Sequence, residues 1–339
     1  MTILSIETSC DETAISVVDA VRNHFFVRAH VVSSQIPTHA KYGGVVPEVA
    51  AREHVRNIIP TLAYALKKAR ITERNIDLIT VTRGPGLMTS LAVGVQTAAS
   101  LAFIWKKPLV GVNHIEGHIY SNWVQHPDIL FPAVSLVVSG GHTELILMKK
   151  HGSYTLIGRT RDDAAGEAFD KVAKILHLSY PGGPAIQKAA TKGSPDAYDF
   201  PRPMLNDKNH EFSFAGLKTS VLYTVQKKKK ITAKDKSNIA ASFQQAAVDV
   251  LVEKTVIAAE KFKAKTVLLA GGVAANTPLR ETLRSSLKTA LPKAAFYTPP
   301  MNLCTDNATM IAVAGYFNYK NKKSDRWDRI DADPNWELV

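Results

Sequence analysis

The sequence is poor in cysteine, and no signal-like or membrane-like segment is predicted in it. Its 339 residues include two cysteines, Cys10 and Cys304, which cannot build a disulfide framework and therefore indicate a reducing compartment. They also lie too far apart for zinc-motif spacing. The first residues have no basic flank and no apolar core, so we predict no signal peptide. No stretch of about 20 residues is free of charges and helix breakers, so we expect a cytoplasmic protein without a membrane span.

Acidic residues are fewer than basic ones. The chain has 42 Lys and Arg against 30 Asp and Glu, a formal net charge of +12. Such an excess favours a polyanionic partner, although charge governs encounter rather than chemistry. Apolar residues make up 45% of the chain, which is enough for a full hydrophobic core and excludes global disorder. At about 150 residues per domain, the length predicts about two domains.

The order of strand-like and helix-like runs occurs twice. The first half is predicted to contain three strands, then a helix, a strand, a helix, a strand and a helix, at 3–7, 14–19, 25–33, 47–68, 78–82, 89–103, 109–112 and 114–124. The second half is predicted to repeat this order of strands and helices. Its elements are expected at 134–138, 142–148, 154–159, 166–176, 237–262 and 266–270, then as a helix that starts at 274, and at 294–297 and 307–319. The repetition predicts a duplicated α/β domain with a cleft between its halves.

The predicted domains follow from this repeat. The N-terminal lobe is expected at 1–130, with a C-terminal helix at about 307–325 packing back on it. The C-terminal lobe is expected at 131–306, with an irregular insertion at 193–236. In such sheets ligands bind at the carboxyl ends of the strands, where the glycine turns of this sequence fall.

Two turns occupy matching positions in the two halves. In residues 7–13 (ETSCDET), hydroxyls and backbone N–H groups can bind phosphate, and Asp11 and Glu12 can hold a cation or accept a proton. An ordinary hairpin with exposed carboxylates is the alternative. In the second half, Ser139, Gly140 and Gly141 form the corresponding turn, where adjacent glycines let the backbone approach an anion.

Two histidines and an aspartate form a candidate metal site. His114 and His118 are four residues apart, which places both imidazoles on one helical face, although surface or capping histidines have the same spacing. Ile115 stands where a zinc protease helix carries its catalytic glutamate, so hydrolysis by that route is not predicted. Asp306 is either the cap of the last long helix or a third, carboxylate ligand.

Three further segments invite a function. Residues 269–276 read as a strand, a glycine turn and a helix start, an arrangement that clasps a nucleotide with Asn276. The opposite side of this nucleotide site could be formed by Gly182, Gly183 and Pro184. Lys227–Lys230 is either a solvated linker or a contact to a phosphate backbone.

These segments together, in this order, resemble the TsaD (Gcp/YgjD) family of tRNA adenosine threonylcarbamoyltransferases, in its bacterial form. The resemblance runs from Ile3 to about Tyr319. It implies a duplicated actin-like ATPase (ASKHA) fold of two lobes with a central cleft. It also implies transfer of the threonylcarbamoyl group from threonylcarbamoyl-AMP to the N6 amine of adenosine 37, immediately 3′ of the anticodon, in tRNAs that read ANN codons.

The resemblance assigns roles residue by residue. His114, His118 and Asp306 match the metal ligands, with Fe²⁺ as the expected ion and Zn²⁺ as the alternative. Asp11 and Glu12 match the acidic pair of the first turn, and one of them is our candidate catalytic base. The substrate-binding positions of the family correspond to Val137, Val138, Ser139, Gly140, Gly141, Asp170, Gly183 and Asn276.

Two positions depart from the pattern of other members, and the rest of the resemblance names partners. Archaeal and eukaryotic members carry a tyrosine metal ligand where this chain has Val137, so three-residue coordination is expected. Many members carry a ribose-binding aspartate at the position of Gln187. The expected partners are tRNA, the inactive paralogue TsaB and the ATPase TsaE, with no membrane.

Three other readings compete with a transferase. A small-molecule kinase of the same superfamily would bind ATP–Mg²⁺, but magnesium prefers oxygen ligands to histidine. A metalloprotease would need the glutamate that Ile115 replaces. A non-catalytic actin-like scaffold would not need a metal triad.

Overall fold

The computed structural model describes all residues, 1–339, and the chain divides into two compact units. The first unit comprises Met1–Ile129 and Pro299–Val339, and the second comprises Leu130–Thr298. Residues 299–306, which we predicted to close the second lobe, therefore group with the first unit. The reason is local: Asp306 lies against two histidines of that unit.

The regular elements alternate as the sequence pattern predicts. The ten strands are β1 (Thr2–Glu7), β2 (Glu12–Val21), β3 (His24–Ser34), β4 (Leu78–Gly84), β5 (Leu109–Asn113), β6 (Ala133–Val138), β7 (Thr143–Lys150), β8 (Ser153–Arg159), β9 (Thr266–Ala270) and β10 (Ala295–Tyr297). The ten α-helices are α1 (Ile36–His39), α2 (Pro47–Ala69), α3 (Met88–Trp105), α4 (His114–Tyr120), α5 (Ala165–Ile175), α6 (Gly182–Ala190), α7 (Ala215–Gln226), α8 (Ala233–Lys261), α9 (Thr277–Ala290) and α10 (Ala308–Lys320). Short 3₁₀ helices cover Glu73–Asn75, Ser121–Val124, Gly272–Ala275 and Met301–Leu303.

The two sheets have the same topology. In the first unit the strand order is β3-β2-β1-β4-β5, and in the second it is β8-β7-β6-β9-β10. In each sheet the first three strands of the chain pair antiparallel, and the two later strands add parallel to the first. This confirms the duplicated α/β fold.

The central strands are apolar on both faces because helices cover both sides of such a sheet. All residues of β6 and β9 are buried. In the first unit α10 packs against α4 and against the strands of the sheet. Gly315 permits that approach, since a Cβ there would lie 2.3 Å from Thr80 Cγ2. The last long helix is therefore a core element of the first unit.

Helix α3 is the exception to the predicted lack of long uncharged runs. Its 18 residues, Met88–Trp105, are long and apolar enough to cross a membrane by length and composition alone. It packs against α2 and β4, and it buries residues such as Leu91, Val95 and Ala98. These contacts are those of a core helix of an α/β layer.

Three helices were not predicted, and one predicted start is shifted. Helices α1 and α6 are short, and α7 lies inside the segment 193–236 that we expected to be irregular. Only Leu217 and Val221 of α7 are buried, so most of its residues lie outside the core, and its short apolar spacing was not recognised inside that segment. The helix predicted from Ala274 begins at Thr277, because a 3₁₀ turn precedes it and Asn276 caps it.

Candidate metal centre and substrate-binding residues

The candidate metal centre lies at the carboxyl edge of the first sheet. The parallel strands β1, β4 and β5 end at Glu7, Gly84 and Asn113, so the residues that follow them meet at one edge. Helix α4 starts directly after β5. Asn113 caps it, because its side-chain oxygen accepts hydrogen bonds from the N–H groups of Ile115 at 2.9 Å and Glu116 at 3.3 Å.

The orientation of α4 is set by its packing against α10. A Cβ on Gly117 would lie 2.7 Å from Ile311 Cδ1, so glycine allows this close approach. On the same side the buried Glu116 accepts a 2.7 Å hydrogen bond from Asn318 of α10. This bond holds Glu116 on the side of the helix that faces α10.

The two predicted histidines and Asp306 come together. Nε2 of His114 lies 3.4 Å from Asp306 Oδ1, and Nε2 of His118 lies 3.2 Å from the same oxygen. One ligand atom from each residue lies within 4.8 Å of the other two. Asp306 is not the cap of α10, because Asn307 fills that role by accepting from the N–H of Met310. The carboxylate is thus free to face the imidazoles.

The residues present fit a divalent metal ion. His118 is fully buried, yet neither ring nitrogen makes a hydrogen bond, and its approach to Asp306 does not have hydrogen-bond geometry. Buried polar atoms are almost always paired, so an unpaired imidazole requires an explanation. Two imidazoles and one carboxylate are a donor set that suits iron and zinc. These three residues can therefore hold a metal ion.

A buried carboxylate supports His114 from behind, and sequence reasoning gave it no role. Glu7, at the end of β1, is 0% exposed. Its Oε2 lies 3.1 Å from Nδ1 of His114 and accepts a hydrogen bond from Thr82 Oγ1. A carboxylate behind a ligating histidine fixes its tautomer and ring orientation. The available signal was an acidic residue that ends an otherwise buried strand.

The charges of this cluster determine its protonation. Burial lowers the pKa of His114, but the carboxylates of Asp306 and Glu7 outweigh burial and raise it to about 10. Burial lowers the pKa of His118 and, together with the charge of His114, outweighs the raising effect of Asp306 and Glu7. Burial raises the pKa of Asp306, but the charge of His114 outweighs burial and holds it below its usual range. Without a metal, His114 is thus a cation beside a neutral His118.

The two acidic residues of the first turn lie near this cluster. Burial and the charge of Asp306 raise the pKa of Asp11. Burial and the charge of Asp11 raise the pKa of Glu12 to about 7, against a lowering by Ser34. Ser34 Oγ donates to Glu12 Oε1 at 2.8 Å, whereas Oε2 is buried and has no hydrogen-bond partner. A carboxylate with a pKa near 7 and a free oxygen can accept a proton at neutral pH.

The cysteines take no part in the ligand set. Cys10 is half-buried, and burial together with the charge of Asp11 raises the pKa of its thiol. Cys304 is buried, and its thiol donates to the carbonyl of Pro300 at 3.4 Å. The raised pKa keeps the Cys10 thiol protonated, so it lacks the thiolate that binds metal, and the Cys304 thiol is engaged by a backbone carbonyl.

The glycine turn of the second unit exposes its backbone. The N–H of Ser139 donates to the carbonyl of His142 at 2.8 Å, and the N–H of His142 donates back to Ser139 Oγ. A Cβ on Gly140 or Gly141 would meet no atom within 4 Å. Neither packing nor a left-handed backbone requires glycine there, so the bare backbone is left open to a ligand.

The other predicted substrate-binding residues of the second unit are mostly engaged within it. Val137 and Val138 are fully buried in β6, so only their backbone can meet a ligand. Asp170 Oδ1 accepts from the N–H of Gly182 at 2.6 Å. Asn276 accepts from the N–H of Leu279 and donates to Gln244, so both ends of its amide have protein partners.

Two neighbouring positions differ in the space that they leave for a ligand. A Cβ on Gly183 would meet no atom within 4 Å, as at Gly140 and Gly141. Gln187 Oε1 accepts from the N–H of Thr277 at 2.9 Å. Its amide oxygen is therefore bound to the start of α9, at the position where many family members carry a ribose-binding aspartate.

The lysine run is not uniform. Lys228 pairs with Asp235 at 2.8 Å and lies 5.6 Å from the centre of the Tyr198 ring. Asp235 also completes the capping box of α8 with Thr232. Lys227, Lys229 and Lys230 are exposed. The run therefore contains one structural lysine and three that face solvent.

Known proteins match the chain over nearly its whole length. The profile of a family described as "TsaD: tRNA N6-adenosine threonylcarbamoyltransferase" matches residues 26–313. A protein of that name from Desulfitobacterium hafniense is 51% identical over 338 residues, which cover 99% of this chain and 97% of the relative. Another from Thermosipho africanus is 48% identical over 338 residues, with 100% of each chain covered.

A solved structure shares the fold at low identity. The crystal structure of full-length HypF in its phosphate- and nucleotide-bound form aligns with a TM-score of 0.63 and 15% identity. The alignment covers 96% of this chain and 47% of HypF, so this chain spans about half the length of that protein. At this identity the likeness speaks for the fold alone.

The protonated His114 makes metal binding depend on pH. Because the pKa of His114 is about 10 and a ligand must be neutral, one divalent ion per chain should bind at pH 7–8 with release of about one proton. Calorimetry in buffers of different ionisation enthalpy measures that number. Glu7→Gln should lower the pKa of His114 and reduce the protons released. Binding without proton release in the unaltered chain would contradict this assignment.

Proposed function

The chain belongs to the tRNA N6-adenosine threonylcarbamoyltransferase family, and we propose that its substrate pair is threonylcarbamoyl-AMP and the adenosine immediately 3′ of the anticodon in tRNAs that read ANN codons. The amine N6 attacks the carbamoyl carbon, the bond from that carbon to the phosphate oxygen breaks, and AMP leaves. The amine loses one proton to a base. The product is threonylcarbamoyladenosine in tRNA.

The chemistry explains what the site must supply. The donor is a mixed anhydride and is already activated, whereas the acceptor amine is a poor nucleophile because its lone pair is delocalised into the purine. Catalysis therefore requires positioning, stabilisation of developing negative charge and removal of a proton. The observation that carries the proposal is the convergence of His114, His118 and Asp306 beside the acidic first turn.

We assign the proton acceptor to Glu12 rather than Asp11. Glu12 Oε2 is buried without a partner, and the pKa of the carboxyl is about 7. A base is most effective when its pKa lies near the working pH. Asp11, whose pKa is also raised, acts on Glu12 through its charge.

His114, His118 and Asp306 would hold the metal ion, with Fe²⁺ as our assignment and Zn²⁺ as the alternative. A bound divalent ion supplies positive charge for the donor's phosphate or carbamoyl oxygens. Glu7 keeps His114 Nδ1 engaged so that Nε2 is presented to the site. Val137 is a buried hydrocarbon side chain, so it adds no ligand to the three.

The second unit is proposed to bind the adenylate part of the donor. The open backbone at Gly140 and Gly141 supports this role, because N–H groups without a neighbouring Cβ can approach a phosphate. Gly183 leaves space for the ligand, while its N–H bonds to Asp170. Ser139 adds a hydroxyl, and Asp170 fixes the start of α6. In this assignment Val137 and Val138 contribute only backbone atoms, and Asn276 shapes the site by capping α9.

The partners are proposed from the resemblance, from one apolar surface and from the net charge of the chain. Helices α2 and α3 contact each other and leave Val55, Ile59, Met88 and Phe103 more than half exposed. An apolar two-helix face of this kind fits another two-helix face, and we assign it to the paralogue TsaB. The ATPase TsaE and a cytoplasmic location complete the assignment, with tRNA as the polyanionic substrate that the +12 charge favours.

Nucleoside mass spectrometry tests the activity. The chain, its paralogue and ATPase partners, tRNA and threonylcarbamoyl-AMP should together yield threonylcarbamoyladenosine. His118→Ala should abolish the product because it removes one of the proposed metal ligands, and the matched control His24→Ala, at an exposed histidine of β3, should not. ATP with small acceptors and no tRNA should give no phosphorylated product. Absence of the modified nucleoside with every component present would overturn the proposal.

The pH profile tests the base. Glu12 must be deprotonated to accept a proton, so kcat/KM for tRNA should rise with pH through about 7. Glu12→Gln should lower kcat/KM by about 10²–10⁴-fold. Ser34→Ala removes a hydrogen bond that lowers the pKa of Glu12, so the rise should move to higher pH. A Glu12→Gln enzyme with unaltered kcat/KM would exclude Glu12 as the base.

Salt dependence tests the lysine run. Replacing the exposed Lys227, Lys229 and Lys230 by Ser should weaken tRNA binding more at low salt. The slope of log K against log salt should fall by about 2–3, since each lost phosphate contact accounts for about 0.7–0.9. A control with the same charge change, at the exposed Lys106, Lys149 and Lys150, should affect the slope less. Equal effects of the two triple variants would show that the lysine run is a solvated loop and makes no specific contact with tRNA.

A further inference from the structure

The segment from Asp331 to Trp336, which we call the strap, crosses the carboxyl ends of β4 and β5 beside the candidate metal centre. We propose that the strap positions α4, and that Asn113 is the positioning residue through which it acts. The proposal rests on the proposed metal-binding role of His114 and His118. It assigns a function to a part of the chain that carries no recognised motif.

The strap is fastened to β4 by backbone and side-chain contacts. The N–H of Asp333 donates to the carbonyl of Arg83 at 2.8 Å, and Arg83 Nε donates to the carbonyl of Asp331 at 2.8 Å. The guanidinium of Arg83 also lies 5.3 Å from the centre of the Trp336 ring. These contacts fix the position of the strap relative to the end of β4.

Glycine at the end of β4 is what lets the strap lie so close. A Cβ on Gly84 would lie 1.8 Å from the carbonyl oxygen of Asp333, so no other residue fits without moving the strap. Two residues on, the N–H of Gly86 donates to the carbonyl of Pro334 at 3.2 Å. The next residue, Leu87, donates its N–H to the carbonyl of Ser9, whose hydroxyl lies 3.2 Å from His114 Nδ1.

The decisive contact is between the strap and the cap of α4. Nδ2 of Asn113 donates to the carbonyl of Trp336 at 2.9 Å, while Oδ1 accepts from the N–H groups of Ile115 and Glu116. An amide offers two donors on one side and an acceptor on the other. The Trp336 carbonyl therefore selects the orientation of the amide in which the oxygen faces the helix.

Loss of the Trp336 carbonyl would displace the two histidines, because it would disturb the Asn113 cap of their helix. Asn113 is 1% exposed, so water cannot readily replace the lost acceptor, and the buried Nδ2 would be left unpaired. The amide would then shift or turn over, and the first N–H groups of α4 would lose their acceptor. Because α4 has only seven residues, both His114 and His118 depend on its first turn.

Two truncated variants distinguish the effect of the strap from that of the residues after it. A chain that ends after Asn335 lacks the Trp336 carbonyl, and the control chain that ends after Glu337 keeps it. Two readouts apply: hydrogen exchange of the Ile115 and Glu116 amides without metal, and affinity for Co²⁺ alone by competition with a chelator. The shorter chain should exchange faster at both amides and bind Co²⁺ about tenfold more weakly, the low end for outer partners of a metal ligand.

A conservative variant provides the rescue. In Asn113→Asp both side-chain oxygens can accept, so the cap no longer depends on orientation by Trp336, whose carbonyl then faces a carboxylate oxygen that cannot donate to it. Shortening the chain in this background should therefore not accelerate exchange of the two amides. A merely structural role of the strap would lower the melting temperature in both backgrounds alike and would leave Co²⁺ affinity, measured on folded chains, unchanged.

A point variant covers the case in which the shortened chain does not fold. Gly84→Ala should displace the strap without removing any of its residues, and Gly216→Ala, where a Cβ meets no atom within 4 Å, is the matched control. Unchanged exchange at Ile115 and Glu116 in Gly84→Ala and in the shorter chain would overturn the strap proposal. Failure of the unaltered chain to bind Co²⁺ would instead overturn the proposed metal centre, and the exchange data would still decide on the strap.

Discussion

The first unit depends on how the charges buried at its sheet edge are balanced. Glu7 and Asp306 are two carboxylates within reach of His114, which carries one positive charge when protonated, whereas burial keeps His118 neutral. Two negative charges then face one positive charge in a poorly solvated site. A divalent ion in place of the His114 proton would cancel both carboxylate charges and would give His118 a ligand bond where its ring nitrogens make no hydrogen bond. The charge balance and the unpaired imidazole thus point to the same ion.

The duplicated sheet explains why these groups meet. Parallel strands end at one edge, and each subsequent segment begins where the strand leaves off. Asparagine is then used three times to start a helix: Asn113 for α4, Asn276 for α9 and Asn307 for α10. A cap fixes the first turn of its helix, and therefore the direction of the side chains on that turn. In the first unit this places His114 and His118 of α4 opposite Asp306, which directly precedes the cap of α10.

Features that arise from local periodicity were predicted well from the sequence. The spacing of His114 and His118 required only that 114–120 be helical, and the buried strands were evident as apolar runs between glycine turns. Asp306 could be either cap or ligand from sequence, because the choice depends on which residue has the capping backbone. The structure gives that role to Asn307.

Features that depend on tertiary contacts were not predicted. The role of Glu7 arises from its distance to a histidine 107 residues away, and the strap acts through Trp336 on a residue 223 positions earlier. Neither relation leaves a periodic signal. Helix α7 was missed for another reason, since only Leu217 and Val221 are buried. In Asn276 the residue type suggested ligand binding, but tertiary context uses both ends of its amide within the protein.

The most direct test of this account is X-ray absorption spectroscopy at the edge of the bound metal, on the purified chain loaded with one divalent ion. We expect two imidazole nitrogens and a carboxylate oxygen at about 2.0–2.2 Å, with the imidazole signal halved in His118→Ala. An ion coordinated by oxygen alone, or an unaltered spectrum in that variant, would contradict it.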